Sequence, residues 1–115
     1  MNLRPQLFFS ILTIACLLPV AAAHAQTAEA AMATRRQLIN EAQSLSARGE
    51  HAEALARAES AGEIRMTPSL RRLIATERRE LGRYAEALAA AESCVIEATD
   101  QGDRASETAC IALRD

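Results

Sequence analysis

Two stretches of the chain carry the same pattern at a distance of 33 residues, and this repetition constrains the fold more than any other feature. Residues 49–55 read GEHAEAL and residues 82–88 read GRYAEAL, so five of the seven positions are identical. The agreement continues at four of the next five positions. A fixed period of this length is typical of repeat architectures, in which each unit buries its apolar face against its neighbours. We therefore expect a stack of similar units.

The composition and the spacing of apolar residues both indicate helices. Of the 115 residues, 26 are Ala and none is Lys, while aromatic residues make up 3%. Ala is the best helix former, and apolar residues recur at steps of three and four, as on one face of a helix. Such a stretch precedes each of the four glycines, which are Gly49, Gly62, Gly82 and Gly102. We expect each glycine to end a helix.

Two further positions predict where helices begin. Thr67 is suited to cap a helix whose first residue is Pro68. A shorter helix is expected from Asp103 onwards. The sequence therefore predicts an all-α fold of antiparallel helix-turn-helix repeats, with about five helices between residue 26 and the end of the chain.

The first 25 residues have the pattern of a bacterial signal peptide. Arg4 precedes the apolar run of residues 7–18, and an Ala-x-Ala motif ends at Ala25. We expect cleavage between Ala25 and Gln26, export to the periplasm or the medium, and no membrane span after processing. The run is shorter than the ~20 residues that a spanning helix needs. A retained anchor and a lipoprotein attached through Cys16 are the alternatives.

The processed chain contains two cysteines, Cys94 and Cys110. An even number of cysteines in an oxidising compartment favours a disulfide. If the two residues lie on antiparallel helices joined near Gly102, the rise of 1.5 Å per residue places them at similar distances from that turn along the helix axes. The spacing predicts a Cys94–Cys110 disulfide, and the alternative is two buried small residues that never meet.

The repeat resembles the tetratricopeptide repeat family. Residues 81–88, LGRYAEAL, are similar to the turn that joins helix A to helix B in that family, with a Gly, an aromatic residue and then Ala-Leu. The resemblance covers about residues 34–99. It implies small residues where helices cross closely, and these positions are occupied by Ala42, Ala54, Ala61, Ala75, Ala87 and Cys94.

The resemblance also implies a domain organisation. After an N-terminal extension at 26–33, repeat 1 spans 34–66 and repeat 2 spans 67–99. Residues 100–115 are then a capping helix or a truncated third repeat. Two departures from the family pattern stand out: His51 replaces the aromatic residue of the turn in repeat 1, and Glu77 stands where the family prefers a small or apolar residue.

Members of this family bind protein segments on the concave face formed by their A helices, so the resemblance implies a protein-interaction scaffold. Guanidinium groups suit the capture of carboxylates, which favours a protein or peptide partner with an acidic or C-terminal carboxylate. Two alternatives are a solvated arginine face, and a structural segment that assembles with a larger cell-envelope complex or a second copy. The candidate binding face consists of Arg36, Gln43, Ser69, Arg72, Thr76 and Arg79.

The remaining chemistry argues against an enzyme. His51 is the only histidine of the processed chain and has no companion with the spacing of metal ligands. We expect His51 to be a packing residue and the acidic residues to lie on polar faces. No phosphate loop or nucleophile motif occurs, so no catalytic residue, cofactor or metal is expected. The formal charge of −2 argues against binding of nucleic acid.

Overall fold

The computed structural model describes residues 20–115, which form five α-helices joined by short turns. No strand occurs in this part of the chain, and the predicted all-α fold of about five helices is confirmed. The helices are α1 (Val20–Ala47), α2 (His51–Ile64), α3 (Pro68–Glu80), α4 (Tyr84–Gln101) and α5 (Arg104–Arg114).

The N-terminal helix is longer than the repeat pattern requires. The predicted N-terminal extension at 26–33 is helical, since α1 runs through these residues and through the predicted cleavage bond between Ala25 and Gln26. Residues 24–30 are exposed to solvent. Most of the predicted signal peptide, including Cys16, lies outside the described residues. Within residues 20–115, no helix combines the length and the apolar character needed to cross a membrane.

Three of the four glycines end a helix as expected. Gly49, Gly82 and Gly102 have positive φ angles of 77°, 75° and 69°, a region that glycine adopts without strain. Each turn leads directly into the next helix of the chain. The helix ends that the sequence predicted at these positions are confirmed.

Gly62 does not end a helix, and the expectation for this residue was wrong. It lies inside α2, two residues before the helix ends at Ile64. A Cβ atom at this position would overlap the Cε of Met66 and lie 3.7 Å from the Cδ2 of Leu70. The glycine therefore makes room for the side chains that follow α2.

Side-chain caps define the starts of α3 and α5. The Oγ1 of Thr67 accepts a hydrogen bond of 3.3 Å from the backbone N–H of Leu70, and Pro68 occupies the first position of α3. At the start of α5, a carboxylate oxygen of Asp103 accepts a bond of 3.1 Å from the N–H of Ser106. Hydrogen bonds from the side chain and backbone of Ser106 lower the pKa of Asp103 below its ordinary value.

Consecutive helices pack against each other, and α5 packs against both α4 and α3. The crossings are filled by small side chains, because bulky ones would hold the helices apart. All six small positions that the family resemblance implied are buried, each with 8% exposure or less. Leu55, Leu70 and Ile74 add the larger buried side chains of the core.

A disulfide links α4 to α5. Cys94 and Cys110 are fully buried, and their Cα atoms are 5.9 Å apart, which is within the range that disulfides require. The predicted pairing is confirmed. It fits an oxidising compartment, where such bonds persist.

Candidate functional site

A groove lies between α1, α3 and α5. Its volume is about 780 Å³, within the ~300–1,000 Å³ that protein ligand sites occupy. Apolar side chains from all three helices line it, and polar side chains of α1 and α3 stand beside them. The lining residues are Arg35, Ile39, Gln43, Thr67, Ser69, Leu70, Arg72, Leu73, Thr76, Ala109, Ala112 and Leu113.

Four of the six predicted binding residues line this groove. Gln43 comes from α1, while Ser69, Arg72 and Thr76 come from α3. The three residues of α3 are spaced by three and four positions, which places them on one face of the helix. The face predicted for α3 is therefore directed into the groove along most of its length.

The other two predicted residues lie elsewhere. Arg36 lines a separate depression, together with Arg48 and with Arg57 of α2. Arg79 lies in the last turn of α3, where its guanidinium is 3.9 Å from the carboxylate of Glu80. The structure does not bring these two arginines into contact with the groove.

Two contributions to the groove were absent from the predicted face. Arg35 binds the carbonyl oxygen of Arg65 at 2.8 Å and the Oγ1 of Thr67 at 3.1 Å, so it ties α1 to the start of α3. The second contribution is a wall from α5 that includes Leu113. The apolar stripe of α5 is visible in the sequence, but its position beside α3 follows only from the packing of the helices.

Arg72 is the arginine of α3 that is free to bind a ligand. Its side chain is exposed, and within residues 20–115 no carboxylate forms an ion pair with it. The other arginines of this helix have acidic partners: Arg71 with Glu97 at 2.5 Å, Arg78 with Glu59 at 3.0 Å and Arg79 with Glu80 at 3.9 Å. Because the internal partners are used by the neighbouring arginines, Arg72 adds an uncompensated positive charge to the edge of the groove.

Glu77 contradicts the expectation that acidic residues lie on polar faces. It is on α3, and its side chain is fully buried with 0% exposure. The hydroxyl of Ser46 in α1 donates a hydrogen bond of 2.5 Å to Oε1 of Glu77. The Nδ1 of His51, the first residue of α2, lies 2.7 Å from Oε2. One carboxyl group therefore connects three helices.

The cluster brings together His51 and Glu77, the two residues that stand out against the family resemblance. His51 and Glu77 contact each other, so a polar residue in the turn of repeat 1 is matched by a buried polar residue in repeat 2. A buried polar group needs such partners, because burial without hydrogen bonds is strongly unfavourable. Ser46 and His51 bind different oxygens of the carboxyl group, and the cluster acts as a structural connection between helices.

Comparisons of the chain with protein-family models, with curated proteins and with solved structures found no match. Among residues 20–115, no group of three or more His, Cys, Asp or Glu side chains is placed to hold a metal ion.

Proposed function

We propose that the protein is an exported helical-repeat scaffold of the tetratricopeptide repeat type, which binds a peptide or protein segment between α1, α3 and α5. The observation that carries this proposal is the position of Arg72. A guanidinium without an ion-pair partner stands beside a groove that apolar side chains of three helices line together with polar ones, Arg35 among them. Such a site offers charged and polar contacts next to an apolar surface.

The arrangement of the helices supports the repeat type. The pairs α1–α2 and α3–α4 each join two helices through a short turn that contains a glycine with positive φ. The same small positions are buried in both pairs. The groove is lined by α1 and α3, which correspond to the A helices of the two repeats.

The charge of the groove favours an occupant with a carboxylate. Arginine forms two parallel hydrogen bonds with a carboxylate, which neutral side chains cannot match. Arg72 would hold an acidic side chain or a C-terminal carboxylate, while Leu73 and Leu113 would contact the apolar part of the same segment. We infer an extended peptide segment of a partner protein that carries such a group.

Export is supported by the disulfide and by the signal-peptide pattern of the first 25 residues. The exported protein is then expected in the bacterial periplasm, with Gln26 as its first residue. An intact mass that begins at Gln26 agrees with this proposal. A first residue at a lipid-modified Cys16 would instead assign a lipoprotein.

Binding of labelled peptides tests the groove. The probes are two fluorescein-labelled peptide sets with the same apolar and acidic residues, one ending in a free carboxylate and the other amidated. We expect binding that weakens as salt rises. Tighter binding of the free-carboxylate set would identify the C-terminal carboxylate as the group that Arg72 holds, and equal binding of the two sets would identify the acidic side chain. The Arg72→Ala variant should bind about tenfold less, the loss expected for one charged hydrogen bond.

Arg79→Ala is the matched control for this experiment. Arg79 is an exposed arginine on the same helix, two turns from Arg72, but it does not line the groove. Both variants should retain the melting temperature of the parent, because exposed charges contribute little to stability. Equal affinities of the parent and the Arg72→Ala variant, together with no effect of salt, would refute binding at this groove.

A second candidate function is a structural segment that assembles with a larger envelope complex. It is favoured by apolar side chains that are exposed on α4, away from the groove: Tyr84, Leu88 and Ile96. Sedimentation of the purified protein separates the two functions. A scaffold that acts alone should sediment as a folded monomer, whereas an assembly segment should associate or be unstable in isolation.

A further inference from the structure

The depression that contains Arg36 shares no lining residue with the groove. Its volume is about 660 Å³, which is within the ~300–1,000 Å³ of small-molecule sites. Its lining includes three arginines, Arg36, Arg48 and Arg57, and one acidic residue, Glu41. The depression is therefore a positively charged patch on a chain whose formal net charge is −2.

The guanidinium groups of these arginines are accessible to a ligand. Arg36 is exposed, and within residues 20–115 no carboxylate forms an ion pair with it. Arg48 pairs with Glu50 at 2.9 Å through its Nε. Arg57 pairs with Glu41 at 3.3 Å, also through its Nε. Each guanidinium has further donors on its two terminal nitrogens, so a ligand can bind without breaking either pair.

Two of these arginines have apolar counterparts in repeat 2. Leu81 is equivalent to Arg48, and Ala90 is equivalent to Arg57. Ala90 belongs to the core cluster, and Leu81 packs against it. A surface that only has to be soluble can carry charges of both signs, but three of the four charged residues of this lining are arginines. The positive charge is therefore specific to repeat 1 and favours a negatively charged ligand.

The charge and the polarity of the lining define the chemical class of this ligand. Three arginines and one glutamate leave two positive charges, which match the charge of about −1.5 to −2 that a phosphate monoester carries at neutral pH. Guanidinium groups also fit the geometry of phosphate oxygens. Asn40 and Ser44 stand beside them as donors and acceptors, whereas Ala33 and Leu45 are the apolar residues of the lining. The carrier of the phosphate is therefore hydrophilic.

We propose that the depression lined by Arg36, Arg48 and Arg57 binds a phosphate ester on a polyhydroxylated carrier, the chemistry of a phosphorylated sugar. The arginines bind the phosphate oxygens, and Asn40 and Ser44 form hydrogen bonds with hydroxyl groups of the carrier. A soluble sugar phosphate and a phosphorylated lipid headgroup share this chemistry, and the experiment below separates them. The site does not depend on the function proposed for the groove.

Isothermal titration calorimetry of the purified protein in a phosphate-free buffer tests the site. The probes are glucose 6-phosphate, inorganic phosphate and uncharged glucose. We expect saturable binding of glucose 6-phosphate that weakens as salt rises, weaker binding of inorganic phosphate, and no binding of glucose. Arg36→Ala and Arg57→Ala should each weaken the binding of glucose 6-phosphate about tenfold, the loss expected for one charged hydrogen bond. Arg36→Lys keeps the charge and should recover part of this loss.

Arg83→Ala is the matched control. Arg83 is an exposed arginine that has an acidic partner, Glu86, at 3.9 Å and does not line the depression. This variant should change the affinity less than twofold, and all variants should keep the melting temperature of the parent, because exposed charges contribute little to stability.

Sedimentation with vesicles identifies the source of the phosphate. The vesicles consist of phosphatidylcholine with or without phosphatidylinositol 4-phosphate, which carries a phosphate monoester on a polyhydroxylated ring. Binding only to the phosphorylated vesicles, weakened in Arg36→Ala, would assign a lipid headgroup to the site. Binding of glucose 6-phosphate without binding to the vesicles would assign a soluble ligand.

Two results would overturn the proposal. The first is the absence of saturable binding of glucose 6-phosphate and inorganic phosphate at millimolar concentrations, together with equal sedimentation with the two kinds of vesicle. The second is binding that Arg36→Ala and Arg57→Ala leave unchanged. If Arg72→Ala weakens that binding instead, the phosphate belongs to the groove. Failure of the groove to bind peptides has no effect on these readouts.

Discussion

Replacement of Glu77 by alanine should strongly destabilise the protein. The side chain is fully buried and forms hydrogen bonds with Ser46 and His51 at 2.5 and 2.7 Å. Each bond contributes about 1–1.5 kcal/mol net, so the loss of both lowers the free energy of unfolding by about 2–3 kcal/mol. For a domain of this size the melting temperature then falls by about 10–20 °C.

Thermal and urea unfolding followed by circular dichroism measure this loss. Glu80→Ala is the matched control, because Glu80 lies on the same helix but is exposed and has only a distant contact with Arg79. The control should change the free energy of unfolding by no more than about 0.5 kcal/mol. Glu77→Gln keeps the volume and should fall between the two.

A double-mutant cycle with His51→Ala isolates the contact between Glu77 and His51. The two residues touch, so the effects of the single substitutions should not add, and the coupling should be about 1–2 kcal/mol. A coupling below about 0.3 kcal/mol is the value expected of independent sites. That result, or a Glu77→Ala variant as stable as the Glu80→Ala control, would refute the view that the carboxyl group connects the helices.

The other predictions concern the C-terminal helix. Removing the disulfide by the double substitution Cys94→Ala and Cys110→Ala should lower the free energy of unfolding by about 3 kcal/mol. This is the entropic stabilisation expected from closing a loop of this length. Two free thiols titrated in the unfolded exported protein would show that the bond does not form. The lowered pKa of Asp103 means that the charged carboxylate stabilises the folded state above the pKa of the unfolded chain, and this contribution is lost as the pH falls below about 4. Asp103→Asn should therefore flatten the dependence of the melting temperature on pH between about 5 and 2; an unchanged profile would mean that the cap with Ser106 does not form.

The features that the sequence predicted correctly depend on interactions within a few residues. Helix periodicity, the glycines at 49, 82 and 102 and the cap at Thr67 all involve hydrogen bonds and dihedral angles that neighbouring residues define. The disulfide was predictable for the same reason, because two helices joined by a short turn must be antiparallel. The family resemblance added the positions at which helices cross closely, and small residues occupy these positions in both copies.

The binding face was predictable only in part. Periodicity along α3 groups Ser69, Arg72 and Thr76, but it also includes Arg79, which lies beyond the groove. The periodicity of a helix shows on which side of the helix axis a side chain lies. It does not show which part of the structure packs against each turn of that helix. The wall that α5 adds and the ion pairs of Arg71 and Arg78 depend on neighbouring helices.

Burial at Gly62, Glu77 and Leu88 was decided by the tertiary structure alone. Gly62 is needed because Met66 and Leu70 fold back over α2, and Glu77 is buried because two other helices bring donors to it. Leu88 repeats Leu55 in sequence, yet Leu88 is 44% exposed whereas Leu55 is buried. Local sequence determines whether a residue is helical and which way it faces, while its burial depends on which residues from elsewhere in the chain pack against it.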